Sequence, residues 1–185
     1  TADEILDVGW QQLELNHAAR RAAAAEIDPS ASEREVLERV KADHPATFEE
    51  ALAEYQEVMA RARDFIEQRG LATIPRDAPL DVIATPEYLR RMTPFAAYFA
   101  PAAFDRPRRG IYIVTPSVDD DPGAMLEHNR SSISNTSIHE AYPGHHLQLS
   151  AALERPTITR LLIDAPEFVE GWGMYSEQLM REHGF

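Results

Sequence analysis

The chain has 185 residues, no cysteine and a formal net charge of −13 at pH 7. This negative charge repels a phosphate backbone and argues against nucleic-acid binding. No apolar run reaches the roughly 18 residues that a membrane-spanning helix requires. The lack of cysteine excludes disulfide bonds, thiolate metal ligands and a cysteine nucleophile, so a metal ion would need His, Asp or Glu ligands.

Helical periodicity dominates the first 70 residues. Apolar residues recur at helical spacing over residues 2–25 and predict a long helix. The segment Ser32–Glu35 has the pattern of a capping box and predicts the start of a short second helix. A third helix is predicted to begin after Thr47 and to end at Gly70. We assign residues 1–70 to a helical arm that acts as a scaffold.

Composition changes after residue 70, where prolines become frequent and short extended runs appear. These runs predict the strands of a small sheet, over residues 81–84, 96–99 and 110–114. The third run is bounded by Gly110 and Pro116. As a strand it could pair with an extended peptide, or it could be an ordinary core strand. The acidic segment of residues 119–122, three aspartates followed by a proline, predicts a solvated loop.

Helical patterns return in the last part of the chain. One helix is predicted to start near Gly123 and to run through Ile138, and two more are predicted over residues 158–163 and 168–182. With the small sheet, these helices predict a mainly α fold of the α+β class. We assign residues 71–185 to a second region, which contains the residues that point to a metal site.

A histidine–glutamate pair, His139-Glu140, carries the strongest chemical signal. In the zincin motif, two histidines at positions i and i+4 of a helix bind zinc, and the glutamate after the first one is the general base. Position i+4 is Pro143 in this chain. The next histidines are His145 at i+6 and His146 at i+7.

Neither later histidine could join His139 at a metal ion on an unbroken helix. Position i+6 lies about 120° around the helix, and position i+7 lies about 10 Å along its axis. Pro143-Gly144 can break the helix, because proline removes a backbone hydrogen bond and glycine permits unusual backbone angles. We favour His145 as the second ligand and keep His146 as the alternative.

Two glutamates downstream are candidates to complete the site. Glu170 follows His145 by 25 residues in a setting that looks buried, beside Phe168 and Trp172. One class of zincins takes its third ligand from such a second helix, so Glu170 is the candidate third ligand. Glu177, two turns later on a similar face, is the candidate carboxylate that orients a ligand histidine.

These residues resemble the bacterial "domain of unknown function 885" family, which is placed among the gluzincin-like metallopeptidases. The segments that carry the resemblance are His139–Gln148, Glu127–Ser132 and Glu170–Trp172. It implies a largely helical, zincin-like catalytic fold, with His139, His145 and Glu170 as Zn²⁺ ligands. Glu140 would be the general base. Because family chains continue further, the resemblance also implies that this chain is a fragment.

The predicted function is zinc-dependent hydrolysis of a peptide or small amide substrate. One alternative is a non-haem iron oxygenase, because two histidines and one carboxylate also form that ligand set. The other is a non-catalytic metal-binding or scaffold module. A hydrolase also needs a donor for the developing oxyanion, and the candidates are Tyr142, Tyr175, His128 and Arg130. The sequence makes no prediction of the compartment or the oligomeric state.

Overall fold

The computed structural model describes residues 1–116, 123–162 and 165–185. They form two compact units that divide between Asp43 and His44. The predicted loop at residues 119–122 and the predicted end of a short helix at Ile163 lie outside the described residues.

Two helices make up the first unit, α1 (Ala2–Ile27) and α2 (Glu33–Ala42). Thr1 and Ser32 begin them as the first residues of capping boxes. In each box the hydroxyl accepts a hydrogen bond from the backbone N–H of the glutamate three residues later. The carboxylate of that glutamate accepts a hydrogen bond from the backbone nitrogen of the first residue. Both predicted helices and the predicted capping box at Ser32 are confirmed.

A three-stranded sheet lies in the second unit, with strands β1 (Leu80–Ala84), β2 (Ala96–Phe99) and β3 (Gly110–Val114) in the order β1-β3-β2. The central strand β3 runs parallel to β1 and antiparallel to β2, and its residues Tyr112 and Val114 are fully buried. All three predicted strands are confirmed. Because β3 is paired on both edges, it is a core strand and cannot add a peptide strand.

Five helices accompany the sheet in the described part of this unit: α3 (Phe48–Arg69), α4 (Arg130–Glu140), α5 (His145–Glu154), α6 (Ile158–Leu162) and α7 (Pro166–Glu182). As predicted, α3 ends at Gly70, which takes the left-handed conformation. The helix α4 begins later than predicted. Residues 124–126 form a separate 3₁₀ turn, and the Asn129 side chain caps α4 by accepting a 2.9 Å hydrogen bond from the Ser132 backbone.

Two buried apolar clusters hold these elements together. The first joins α3, the sheet and α4 through Ala51, Tyr55, Val58, Val82, Tyr112, Val114 and Ile133. The second joins α3 and α7 to the segment around the end of α4, through Ala62, Ile66, Ile138, Ala141, Tyr142, Leu147 and Met180. The helix α3, assigned from sequence to the arm of residues 1–70, therefore packs within the second unit. None of the helices in the described ranges is long and apolar enough for a membrane crossing.

Candidate metal centre

The segment between α4 and α5 shapes the site. Helix α4 ends at Glu140 and α5 begins at His145, so the predicted break is a complete interruption between two helices. The backbone N–H of Gly144 donates a 3.0 Å hydrogen bond to the carbonyl of Ile138. A Cβ atom at position 144 would lie 1.7 Å from the carbonyl oxygen of His139. The chain can pass this close to the end of α4 only because residue 144 is glycine.

With this close approach, His139 and His145 lie beside each other and beside Glu170 of α7. The two imidazole rings meet edge to face, with centroids 4.7 Å apart. Glu170 Oε2 lies 3.5 Å from His139 Nε2, and Glu170 Oε1 lies 3.6 Å from His145 Nε2. One ligand atom from each residue falls within 4.8 Å of the other two. We call these three residues the His-His-Glu cluster.

The spacing of the cluster suits a tetrahedral metal ion. Ligand atoms bound to zinc at about 2.1 Å in a tetrahedral arrangement are about 3.4 Å from one another. The nitrogen–oxygen distances, 3.5 Å from His139 to Glu170 Oε2 and 3.6 Å from His145 to Glu170 Oε1, are close to that value for the two oxygens of one carboxylate. Imidazole nitrogen and carboxylate oxygen are both common zinc ligands. The residues present therefore fit a zinc ion, which the cluster could hold with one position left for water or substrate.

Glu177 fixes the orientation of the first histidine. Its Oε1 lies 2.6 Å from His139 Nδ1, and because a carboxylate only accepts, Nδ1 carries the hydrogen. The lone pair of a neutral His139 ring is then on Nε2, which faces Glu170. The hydrogen bond with Glu177 raises the pKa of His139. Burial opposes ionisation of Glu177, but hydrogen bonds from His139 and Asn135 outweigh it and lower the Glu177 pKa.

Gly173 allows α7 to approach this histidine closely. A Cβ atom at position 173 would lie 2.6 Å from Cε1 of the His139 ring. At Gly171, by contrast, no heavy atom lies within 4 Å of a Cβ position. Of the two glycines of α7, Gly173 alone makes room for the site.

Removing the Glu177 carboxylate should weaken metal binding. We expect Glu177→Ala to reduce zinc affinity by about 10–100-fold, the usual effect of losing the partner that orients a ligand histidine. Glu182→Ala, which removes a carboxylate from the end of the same helix, should bind zinc like the wild type. Competition with a chromogenic chelator measures both affinities. An unchanged affinity in Glu177→Ala would mean that this hydrogen bond does not hold His139 for a metal ion.

Glu140 lies next to the cluster in the chain and is partly buried. Burial raises its pKa, His139 lowers it, and the charge of Glu170 raises it further, with a net rise. A carboxylate with a raised pKa is a better proton acceptor than an ordinary surface glutamate. The charges of His139 and Glu170 both act on the pKa of Glu140, so its carboxylate is within electrostatic reach of the His-His-Glu cluster.

The surroundings of Glu170 differ from those expected from the sequence. Glu170 has 64% of its side chain exposed, and Phe168 is 67% exposed, so the expected buried setting of Glu170 is wrong. The reason is that α7 buries a different stripe, formed by Gly173, Ser176 and Met180. Glu170 lies at the open rim of the cluster.

His146 lies outside the cluster, and both of its ring nitrogens are engaged elsewhere. Its Nε2 lies 3.0 Å from the carbonyl oxygen of Ala78, and its Nδ1 lies 3.0 Å from the hydroxyl of Tyr98. The geometry thus favours His145 over His146 as a ligand. Sequence reasoning missed Tyr98, because no local pattern links it to a histidine 48 residues later.

Two of the candidate oxyanion donors serve other interactions. His128 is buried, with Nε2 3.1 Å from the Thr115 carbonyl and Nδ1 3.2 Å from the Tyr55 hydroxyl. Arg130 forms an ion pair with Glu54 at 2.9 Å. These contacts explain both residues as structural. Tyr175 of α7 is half-exposed and packs beside Trp172, at 5.8 Å between ring centroids.

Known structures share this fold. A "putative lipoprotein" from Colwellia psychrerythraea is 22% identical with a TM-score of 0.78, over 100% of this chain and 32% of that one. A "putative lipoprotein of unknown function" from Shewanella oneidensis is 24% identical with a TM-score of 0.76, over 95% of this chain and 34% of the other. The chain thus spans about a third of their length.

A comparison with curated proteins gives no match. A family model described as "Bacterial protein of unknown function (DUF885)" matches residues 1–185. The chain therefore belongs to this bacterial family of unknown function, DUF885.

Proposed function

We propose that this protein is a zinc-dependent metallopeptidase of the zincin type, acting on peptide or small amide bonds. The observation that carries the proposal is the His-His-Glu cluster beside Glu140. Its nitrogen–oxygen separations of 3.5 and 3.6 Å suit a tetrahedral zinc ion. The hydrogen bond from His139 to Glu177 adds support, because metal-binding histidines usually have such a partner.

Each residue has a distinct role in the proposed reaction. His139, His145 and Glu170 would hold zinc, which when bound lowers the pKa of a water molecule to about 7 and polarises a carbonyl group. Glu140 accepts the proton of the attacking water and passes it to the nitrogen of the leaving amine. Glu177 keeps the proton on His139 Nδ1, so that Nε2 stays available as a ligand atom.

The exposure of Glu170 supports a site that substrates can reach. With 64% of its side chain accessible, the cluster opens to one side. His139 and His145 lie deeper, with 17% and 9% of their side chains exposed. A catalytic zinc site needs this combination of three protein ligands and an accessible fourth position, whereas structural zinc sites are closed.

Metal analysis of the full-length protein tests the proposal. We expect one zinc ion per chain, loss of peptide hydrolysis on chelation, and recovery when zinc is returned. Replacing both histidines, in His139→Ala/His145→Ala, should abolish metal binding. His183→Ala, an exposed histidine at the end of α7, should bind like the wild type. Full zinc occupancy in the double variant, or activity that survives complete metal removal, would contradict the proposal.

The location of the protein is a separate proposal. Both similar structures are described as lipoproteins, which supports an exported protein. Fractionation of cells that express the full-length protein tests this, and recovery in the cytoplasm alone would contradict it.

A further inference from the structure

The second histidine of the His145-His146 pair is held by a chain of hydrogen bonds. The Ala78 carbonyl can only accept, so the bond to it fixes the hydrogen of His146 on Nε2. Nδ1 is then an acceptor and receives the hydroxyl hydrogen of Tyr98.

Residues of β2 and β3 and a residue just before β1 surround this ring. Ala78 lies just before β1, Tyr98 belongs to β2, and Gly110 is the first residue of β3. A Cβ atom at Gly110 would lie 2.5 Å from His146 Nδ1, so the central strand leaves space only for the imidazole. His146 itself is 1% exposed. It therefore fastens the first turn of α5 to the sheet.

The two cluster histidines differ in how their side chains are held. His139 Nδ1 has Glu177 as its partner, whereas His145 Nδ1 is buried and has no hydrogen-bond partner among the described residues. No carboxylate or carbonyl in those ranges therefore orients His145 in the way that Glu177 orients His139. The direction of the His145 side chain then depends on its ring contact with His139 and on the backbone at the start of α5, where His146 is anchored.

We propose that His146 is the positioning residue for His145, and that the Tyr98–His146–Ala78 hydrogen bonds set the geometry of the second metal ligand from the sheet. This inference rests on the proposed metal site. The two neighbouring histidines then have different tasks: His145 is part of the His-His-Glu cluster, and His146 positions His145. A purely structural role for His146 would stabilise the fold without affecting the metal ion.

Removing a single hydroxyl group can distinguish a positioning role of His146 from a purely structural one. Tyr98→Phe in the full-length protein removes the bond to Nδ1 and keeps the aromatic ring, which packs edge to face against His146 at 5.6 Å. Tyr88→Phe is the matched control, because Tyr88 is 79% exposed. Cobalt(II) replaces zinc as the probe, since its visible absorption reports the arrangement of its ligands. His146→Phe, which breaks both bonds, is a second variant.

We expect Tyr98→Phe to weaken cobalt binding by about tenfold, at the lower end of the range for residues that orient a ligand, and to alter the visible spectrum. Tyr88→Phe should match the wild type in both measurements. Wild-type affinity and spectrum in Tyr98→Phe would overturn the inference, even if its melting temperature falls. If the wild type binds no cobalt or zinc, the proposed function itself fails, which is a distinct result.

Discussion

Replacement of Glu140 by glutamine is expected to reduce kcat for peptide hydrolysis by about 10³-fold, within the range for loss of a general acid–base group. The amide has nearly the same shape as the carboxylate, but it cannot accept a proton from water. Glu140 is not one of the three cluster residues, so zinc should bind to Glu140→Gln as it does to the wild type. Steady-state kinetics and metal analysis on the same preparation measure both quantities.

Glu87→Gln is a suitable control for this substitution, because Glu87 is an exposed carboxylate on a 3₁₀ turn. It should retain wild-type kcat. An iron oxygenase with the same three ligands would not need a proton acceptor at position 140. Peptide hydrolysis at the wild-type rate in zinc-loaded Glu140→Gln would therefore rule out the hydrolytic mechanism as stated.

Local features of the chain explain why its helices and strands could be predicted. The capping box at Ser32, the αL glycine at Gly70 and the Pro143-Gly144 break are short-range effects, and each lies where the sequence indicates. The start of α4 is a partial exception. An uninterrupted helix was expected there, but Asn129 competes as a cap, since its side chain satisfies a backbone N–H that helix extension would otherwise use.

Contacts between distant segments explain what the sequence could not predict. Strand β3 is central because it pairs with both β1 and β2, which begin 30 and 14 residues before it in the chain. No local pattern in the sequence encodes this strand order. The same applies to Tyr98, which reaches His146 across the sheet. The exposure of Glu170 follows from which stripe of α7 is buried, and that stripe includes Gly173, which packs against His139.

The candidate site residues were easier to propose from sequence because their chemistry is concentrated. Three histidines lie within eight residues of one another, beside a glutamate. This grouping narrows the candidate metal-site residues before any fold is known. The choice between His145 and His146 needed the three-dimensional arrangement. Only the structure reveals that both nitrogens of His146 are engaged by Ala78 and Tyr98.

Gly144→Ala should have the largest effect on the fold of the site. The added methyl group would lie 1.7 Å from the His139 carbonyl oxygen and 2.4 Å from the Ile138 carbonyl oxygen. These are backbone atoms of α4, so no side-chain rotation relieves the overlap, and the segment between the helices must move. We expect a loss of about 3 kcal/mol or more in the free energy of unfolding, at or above the upper range for overpacking.

The same substitution should also separate the two ligand histidines. Residue 144 joins the end of α4 to the start of α5, so any movement there changes the distance between His139 and His145. We therefore expect Gly144→Ala to lose zinc binding even at temperatures where it remains folded. Denaturant unfolding and metal analysis measure the two effects independently.

Gly171→Ala provides the matched comparison, because it adds the same methyl group where no heavy atom lies within 4 Å. In the interior of α7 this change should stabilise the protein by about 0.5–1 kcal/mol, the difference in helix propensity between glycine and alanine. Zinc binding should be unaffected. If Gly144→Ala is as stable as Gly171→Ala and binds zinc equally well, residue 144 does not approach the end of α4 as closely as described. Its role in bringing His139 and His145 together would then be contradicted.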